Sequence, residues 1–297
     1  MSWMFLAISG YLLLAVEAII TKLLLVSRIK NWQMYSFYIG IFSFFSLVFL
    51  PFADWQGKHN FLISLYSGLF FFVSLVFLYR ALELTSASRV YVLYGATSTL
   101  FSFLLARIFL KDIFSFHDIF GLIFLILGSG FISFKFYKGK FFNRSRDVII
   151  AGFLMGISLV LLKAGYNHQN FWGGYVYSRI GIGLGALLFL IFPFYRKVVI
   201  QELKVKNDRE KAKSFLGVSF AKSLSGLGTI LVNYSISLGS VAIVSALVAT
   251  QFLFTFFLAV FLGIYFKSIR ERVNTGNIIY KFIGVVLIIL GVMAISF

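Results

Sequence analysis

The sequence predicts an all-α integral membrane protein whose ten transmembrane helices form two inverted five-helix repeats. Three observations support this prediction. Of the 297 residues, 60% are hydrophobic and only 12% are charged, and the mean hydropathy is +0.96. Such a composition suits a surface that faces lipid rather than water. The apolar residues form ten continuous runs, and the second half of the chain repeats features of the first half.

The apolar runs are long enough to cross a bilayer as helices. A hydrocarbon core of about 30 Å requires about 20 helical residues. The runs are continuous rather than alternating, which argues against membrane strands. All four tryptophans lie at the edges of runs, where an indole ring prefers the membrane interface. The predicted spans cover residues 3–26, 34–52, 61–82, 89–110, 116–137, 148–166, 172–195, 214–237, 241–266 and 278–297.

Basic residues mark one side of the membrane. The loops after spans 1, 3, 5, 7 and 9, with their flanks, hold 21 of the 27 Lys and Arg residues, whereas the opposite loops hold four. Because basic residues are enriched in cytoplasmic loops, both termini are expected outside the cytoplasm. The expected location of the protein is the inner membrane of a bacterium. The net charge of +17 is then explained by loops and not by nucleic-acid binding. Residues 196–214 form either a short interfacial helix or a solvated linker.

The second half of the chain repeats the first at a slowly growing offset. The segment LILGSGFISF at 125–134 recurs as IILGVMAISF at 288–297. The offset is 141 at the end of the first span, 142 after the second, 155 around the start of the fourth and 163 in the fifth. The matched residues are Lys22 and Lys163, Pro51 and Pro193, Tyr79 and Tyr234, Ala87 and Ala242, Gly121 and Gly284, and Gly128 and Gly291.

A repeat with an odd number of spans ends on the opposite side of the membrane from where it begins. Its second copy therefore enters the membrane in the opposite direction. The predicted copies are residues 1–140 and 147–297, related by a pseudo-two-fold axis in the membrane plane. Many secondary transporters have this architecture, in which two halves meet around a midplane cavity and open alternately to each side. The alternative is a duplicated structural bundle that transports nothing.

Four motifs resemble those of a known family. The segments YRALELTSAS at 79–88 and YSISLGSVAIVSAL at 234–247 resemble the join between the third and fourth spans of each half in the drug/metabolite transporter superfamily, EamA-like branch. The segment FLKDIFSFHDIFGLIFLILG at 109–128 resembles the stretch that follows, with Asp112 in the acidic position. The segment YSRIGIGLGALL at 177–188 resembles the Arg-bearing seventh span. The resemblance implies a ten-helix transporter fold.

Two features of this chain differ from the family pattern. Family members often carry proline within spans four and nine, and this chain has none there. Bacterial members are usually drawn with both termini in the cytoplasm, whereas the charge count predicts the opposite orientation.

Ionisable residues deep in a span usually face a partner or a wet cavity, because burial of a charge in lipid is costly. Glu17 in span 1 is either a proton-titrated coupling site or half of a structural ion pair with a cation on another helix. Arg179 and Lys222 lie about 10–12 Å into their spans by helical rise. They either bind an anionic substrate together, or one pairs with Glu17 and the other snorkels to the surface.

Uncharged polar residues extend the candidate site. Tyr94 in span 4 and Gln251 in span 9 are suited to lining a polar cavity, followed by Asn233 and Tyr175. Such side chains also bond simply to neighbouring backbone in membrane helices. Glycine-rich faces predict close helix packing, at Gly152, Gly156, Gly181, Gly183 and Gly185.

The sequence carries no signal for an enzyme, a metal site or a bound cofactor. Cysteine is absent, and the three histidines are not spaced as ligands. The predicted function is secondary active transport of a small polar metabolite, anionic or zwitterionic and amino-acid-like, with proton coupling through Glu17 as one option. The alternatives are efflux of cationic or aromatic drugs, and a lipid-moving or non-transporting membrane subunit. The expected partners are the substrate, the lipid bilayer and a coupling proton, but not nucleic acid.

Overall fold

A computed structural model of the protein describes residues 2–25, 31–84, 87–133, 144–204, 208–262, 264 and 275–296. These residues are predominantly helical, with no strand among them. The described parts of the predicted spans are mostly helical, except that span 172–195 contains the turn between α7 and α8, and the ends of spans 3–26, 116–137, 241–266 and 278–297 lie outside the described residues. The helices are α1 (Ser2–Leu25), α2 (Trp32–Ser43, continued by a 3₁₀ helix Phe44–Phe52), α3 (Lys58–Leu84), α4 (Ala87–Leu105, continued by a π-helical turn Ala106–Leu110), α5 (Phe116–Ser133), α6 (Ser145–His168), α7 (Phe171–Phe189), α8 (Pro193–Lys204), α9 (Asp208–Leu238), α10 (Val241–Ala246), α11 (Val248–Leu262) and α12 (Thr275–Ser296).

The length and hydropathy of the helices show an integral membrane protein. Within the described residues, seven helical stretches are long and apolar enough to cross a bilayer, and the count is eight when the bent pair α7 and α8 is taken as one span. The apolar part of α5, Phe116–Phe131, is shorter. The number of ten spans therefore stays a prediction.

The chain turns sharply between α7 and α8, with a bend of 99°. Tyr195 and Val199, one helical turn apart on α8, are buried, whereas Arg196 and Lys197 are exposed. The Tyr195 hydroxyl shares a hydrogen bond of 3.0 Å with Ser36 Oγ on α2. The start of the 196–214 segment is thus an amphipathic helix anchored by one face, and not a solvated linker.

The helices form two compact units that do not follow the order of the sequence. Unit 1 comprises Met1–Arg28, Phe114–Lys140 and Lys206–Phe297, and so contains α1, α5 and α9 to α12. Unit 2 comprises Ile29–Ile113 and Phe141–Val205, and so contains α2 to α4 and α6 to α8. Each unit takes helices from both predicted repeats. The repeat boundaries, 1–140 and 147–297, remain a prediction from the sequence.

The two units share one packing pattern. In unit 2, α6 packs along α3 and α4, and in unit 1, α1 packs along α9 and α11. The repeat offsets relate α3 to α9, α4 to α11 and α6 to α1. The contacts of α6 with α3 and α4 in unit 2 therefore correspond to the contacts of α1 with α9 and α11 in unit 1. The pairs α5 with α12 and α2 with α7 each join equivalent helices of the two copies.

The repeated glycines explain how α5 and α12 pack antiparallel. A Cβ on Gly121 would lie 2.9 Å from the carbonyl oxygen of Gly291, and one on Gly128 would lie 2.9 Å from that of Gly284. Because the offset of 163 relates Gly121 to Gly284 and Gly128 to Gly291, these two contacts are equivalent. Small residues allow helix backbones to approach this closely in a membrane. The repeated motif is therefore a backbone contact surface.

The predicted glycine faces on α6 and α7 are confirmed as packing surfaces. A Cβ on Gly152 would overlap the Thr97 side chain of α4, and one on Gly181 would overlap the Leu65 carbonyl of α3. Both glycines lie in unit 2, where they bring α6 and α7 close to their neighbours.

A pair of glycines in α5 tests this packing. A Cβ on Gly128 meets the backbone of α12, whereas a Cβ on Gly130 meets nothing within 4 Å. Gly128→Ala is expected to lower the free energy of unfolding by about 1–3 kcal/mol, because the other backbone must shift. Gly130→Ala is expected to raise it by about 0.5–1 kcal/mol through helix propensity. Thermal unfolding in detergent measures both, and equal stability of the two variants would contradict the packing.

Candidate functional site

Glu17 on α1 and Lys222 on α9 form an ion pair inside unit 1. Lys222 Nζ donates to Glu17 Oε1 at 3.0 Å, and the two side chains are only 24% and 13% exposed, respectively. A buried charge without a partner is strongly destabilising, so the pairing explains how both residues are tolerated. Of the alternatives for Glu17, the structure shows the ion pair with a cation on another helix. The coupling role stays a prediction.

The position in unit 2 that corresponds to this ion pair holds an uncharged contact. The offset of 141 relates Glu17 to Ser158, and the offset of 155 relates Ser67 to Lys222. Ser67 and Ser158 are in contact, since Ser67 Oγ donates to the Ser158 carbonyl at 2.8 Å. The same helix contact is therefore charged in one unit and neutral in the other.

Arg179 on α7 lies against aromatic rings of unit 2. Its guanidinium carbon is 4.7 Å from the centroid of the Tyr175 ring and 5.9 Å from that of Phe71. The buried Arg179 Nε has no hydrogen-bond partner in the described part of the chain. Contact with a ring face stabilises the cation but leaves the in-plane N–H donors unused. The guanidinium can therefore still bind an anionic group.

The uncharged candidates differ in how far their polar groups are engaged. The Ser74 hydroxyl donates its proton to the Ala151 carbonyl of α6 at 2.7 Å. The 3.2 Å hydrogen bond between Ser74 and Tyr94 is therefore donated by the Tyr94 hydroxyl. Asn233 Nδ2 donates to the Thr229 carbonyl of its own helix at 2.8 Å. Gln251 is half-buried on α11. Tyr94 thus ties helices together, and Asn233 bonds to its own backbone.

The structure brings together two pairs of the residues proposed from the sequence. Glu17 contacts Lys222 in unit 1, and Arg179 contacts Tyr175 in unit 2. Joint binding of a substrate by Arg179 and Lys222 stays a prediction.

The helix of span 9 is interrupted for one residue, although the span contains no proline. The helix is interrupted at Leu247, between α10 and α11. The Leu247 carbonyl accepts from both the backbone N–H and the hydroxyl of Thr250, at 2.9 and 2.6 Å, and the Tyr11 hydroxyl donates to the Val244 carbonyl at 2.8 Å. Hydroxyl donors thus satisfy carbonyls at the break, as lipid-embedded backbone requires.

Two buried polar residues at the end of α6 were not among the candidates from the sequence. The Tyr166 hydroxyl and Gln169 Oε1 are buried and lack hydrogen-bond partners within the described residues. Only 8% of Tyr166 and 9% of Gln169 is exposed. Both stand in the polar run YNHQN, which in the sequence is typical of a solvated turn between spans. Their burial depends on the packing of α7 and α3, which the local sequence does not reveal.

Comparisons with known proteins bear on the family and on the fold. The model of the EamA-like transporter family matches residues 1–134, which confirms the resemblance to the drug/metabolite transporter superfamily. A solved structure, described as the crystal structure of a protein, superposes with a TM-score of 0.70 over 99% of this chain and 98% of its own length. At 13% sequence identity this similarity concerns the fold alone. None of the curated proteins compared matches the sequence.

A double-mutant cycle tests the buried ion pair. Glu17→Gln and Lys222→Met each leave one charge without its partner, and each is expected to lower the free energy of unfolding by about 3–5 kcal/mol. The double variant is expected to recover most of this loss because no charge remains. Denaturant unfolding in detergent measures the cycle.

The control is the ion pair of Arg80 with Asp147, in which the Arg80 side chain is 43% exposed and the distance is 3.7 Å. Arg80→Met is expected to cost at most about 1 kcal/mol, since solvent screens the pair. A double variant whose loss equals the sum of the single losses would show that Glu17 and Lys222 do not interact.

Proposed function

We propose that this protein, whose residues 1–134 match the EamA-like transporter family, is a secondary active transporter of a small anionic or zwitterionic, amino-acid-like metabolite. The family match and the apolar helices support a membrane transporter of the drug/metabolite type. The observation that carries the substrate class is the buried Nε of Arg179, which has no hydrogen-bond partner in the part of the chain that the structure describes.

The chemistry of guanidinium favours an anionic group as the ligand of Arg179. The planar guanidinium offers donors that match the two oxygens of a carboxylate, and such charge-assisted bonds are stronger than neutral ones. The Tyr175 and Phe71 rings contact the cation without using those donors. A substrate carboxylate would supply both the missing acceptor and the compensating charge.

Efflux of cationic drugs is the weaker alternative. A cationic substrate would need a carboxylate that is free to receive it, and Glu17 was the candidate for that role. Glu17 is instead paired with Lys222 at 3.0 Å.

Alternating access between two inverted repeats is the proposed mechanism of movement. Support comes from the antiparallel packing of α5 on α12 through equivalent glycines and from the recurrence of one helix-packing pattern in both units. Ten spans, with both termini outside the cytoplasm of a bacterium, complete this proposal. The outward position of the termini rests on the distribution of basic residues in the loops.

Proton coupling through Glu17 is a further part of the proposal. Protonation of Glu17 would remove the charge that holds Lys222 and would weaken the contact between α1 and α9. The equivalent contact in unit 2, between Ser67 and Ser158, has no titratable group. Protonation would therefore act on one unit alone.

Substitution of Arg179 tests the substrate class. In proteoliposomes that contain the purified protein, Arg179→Leu is expected to reduce uptake of labelled amino acids and carboxylates at least about tenfold, because a hydrogen bond to a charged group is worth about 1.5–3 kcal/mol. Arg179→Lys retains part of the uptake. Arg196→Leu, which removes an exposed cation on α8, is the matched control. Uptake by Arg179→Leu at the level of the intact protein would contradict this role.

Substitution of Glu17 tests the coupling. Uptake that is driven by a pH gradient is expected to disappear in Glu17→Gln, whereas exchange of substrate without a gradient persists. Glu83→Gln, which changes an exposed carboxylate at the end of α3, is expected to behave like the intact protein. Full gradient-driven uptake by Glu17→Gln would remove Glu17 from the coupling mechanism.

A further inference from the structure

Three buried polar atoms that have no hydrogen-bond partner among the described residues lie on or directly beside two consecutive helices of unit 2. They are Arg179 Nε on α7, the Tyr166 hydroxyl near the end of α6 and Gln169 Oε1 just after it. A buried polar group that is left unsatisfied destabilises the folded protein. Three such atoms in one unit call for an explanation.

Two of these side chains flank the same glycine of α7. The ring of Tyr166 and the amide of Gln169 both lie beside Gly174, since a Cβ there would lie 2.5 Å from Tyr166 Cδ1 and 3.4 Å from Gln169 Nε2. The glycine thus allows the end of α6 to approach α7 one turn before Arg179.

Aromatic rings connect the two ends of this region. The rings of Tyr166 and Phe171 are stacked with centroids 5.6 Å apart, and Phe171 is stacked on Tyr175 at the same distance. Tyr175 in turn lies under the Arg179 guanidinium. Tyr175 and Arg179 are four residues apart and lie on one face of α7, so the stacked rings lead from Tyr166 to the guanidinium.

The amide of Gln169 is held in place but only half satisfied. Its Nε2 donates to Ser64 Oγ on α3, which fixes the amide and leaves Oε1 without a partner. The next residue, Asn170, is fully engaged: its Oδ1 accepts from the Gly173 N–H at 2.7 Å and its Nδ2 donates to the Phe52 carbonyl at 2.8 Å. The same turn therefore satisfies one amide completely and leaves the other with a free acceptor.

We propose that Gln169 and Tyr166 recognise the amino group of a zwitterionic substrate whose carboxylate binds Arg179. Gln169 Oε1 is a pure acceptor, which suits an ammonium group, and the Tyr166 hydroxyl can accept from the ammonium or donate to the carboxylate. The neighbouring ring faces stabilise a cation further. This proposal rests on the proposed transport function and narrows its substrate class from anions in general to amino-acid-type zwitterions.

The proposal is tested by ligand binding to the purified full-length protein in detergent. The twenty standard L-amino acids are screened by their effect on the melting temperature, since a ligand of the folded state raises it. For each amino acid that binds, the deaminated carboxylate of the same side chain is compared by calorimetry. The intact protein is expected to bind the amino acid at least about tenfold more tightly than its deaminated analogue, the difference of one hydrogen bond to a charged group.

Three variants separate the roles. Gln169→Leu is expected to bring the ratio of the affinities for the amino acid and its deaminated analogue close to one, while the affinity for the carboxylate stays the same. Tyr166→Phe, which keeps the ring against Gly174, is expected to weaken amino-acid binding. Arg179→Leu removes the binding of both. Gln201→Leu, an exposed glutamine on α8, is the matched control and keeps the preference.

Stability without ligand gives a second readout. Tyr166→Phe is expected to melt at or above the temperature of the intact protein, because it removes an unsatisfied buried hydroxyl and no hydrogen bond made by the described residues. A purely structural role of the hydroxyl predicts a lower melting temperature, and that result would overturn the proposal. Equal binding of amino acids and deaminated analogues, both dependent on Arg179, would also overturn it while leaving the proposed function intact. Binding of neither class would overturn both.

Discussion

The need of every buried polar group for a partner determines most of this structure, because lipid offers no hydrogen bonds in exchange. The backbone meets this need by forming helices, and side chains meet it by bonding across them. Ser67 on α3 donates to a carbonyl of α6, and Thr250 donates to a carbonyl at the break in span 9. Glu17, the partly buried carboxylate in span 1, is paired with Lys222. The atoms of Arg179, Tyr166 and Gln169 that lack partners among the described residues are the exceptions that the proposed substrate would satisfy.

Helix packing explains why the sequence repeats itself most clearly in its fifth and tenth spans. The contact between α5 and α12 is made by glycines at matching positions of the two halves. A side chain on such a glycine would collide with the backbone of the other helix, so these positions must stay glycine. The other spans have diverged further in sequence, although their helix contacts recur in the two units. The pair Glu17 and Lys222, which stands where the other copy has Ser158 and Ser67, shows how far the chemistry can change while the helix contact is kept.

The positions of the helices could be predicted from the sequence, because continuous apolar runs of about 20 residues have few other solutions in a membrane protein. The break at Leu247 could not, since it depends on hydroxyls from Thr250 and from a helix distant in the sequence rather than on proline. The helical form of α8 was left open between two alternatives, because its short apolar face is recognisable only when it packs on α2.

The candidate site was predictable in part, and the limits have a physical cause. Glu17, Lys222 and Arg179 stood out because charges in apolar runs are rare and costly. The partner of each was not visible, since pairing across helices depends on rotation and depth. Tyr94 and Asn233 bond within the protein, which a polar residue in a span can always do. Tyr166 and Gln169 escaped notice because their local sequence is polar and suggested exposure, whereas Gly174 allows both to be buried.

The differences between the two units fit the demands of the proposed transport cycle. Two identical inverted repeats would give inward-open and outward-open states of equal energy. A transport cycle therefore needs a means to favour one of these states over the other. A ligand or proton shifts such an equilibrium only through its different interaction with the two states. Unit 1 carries the ion pair of Glu17 with Lys222, and unit 2 carries the polar groups that are proposed to bind the substrate. A proton and a substrate would then act on different units, so that each could bias the equilibrium independently of the other.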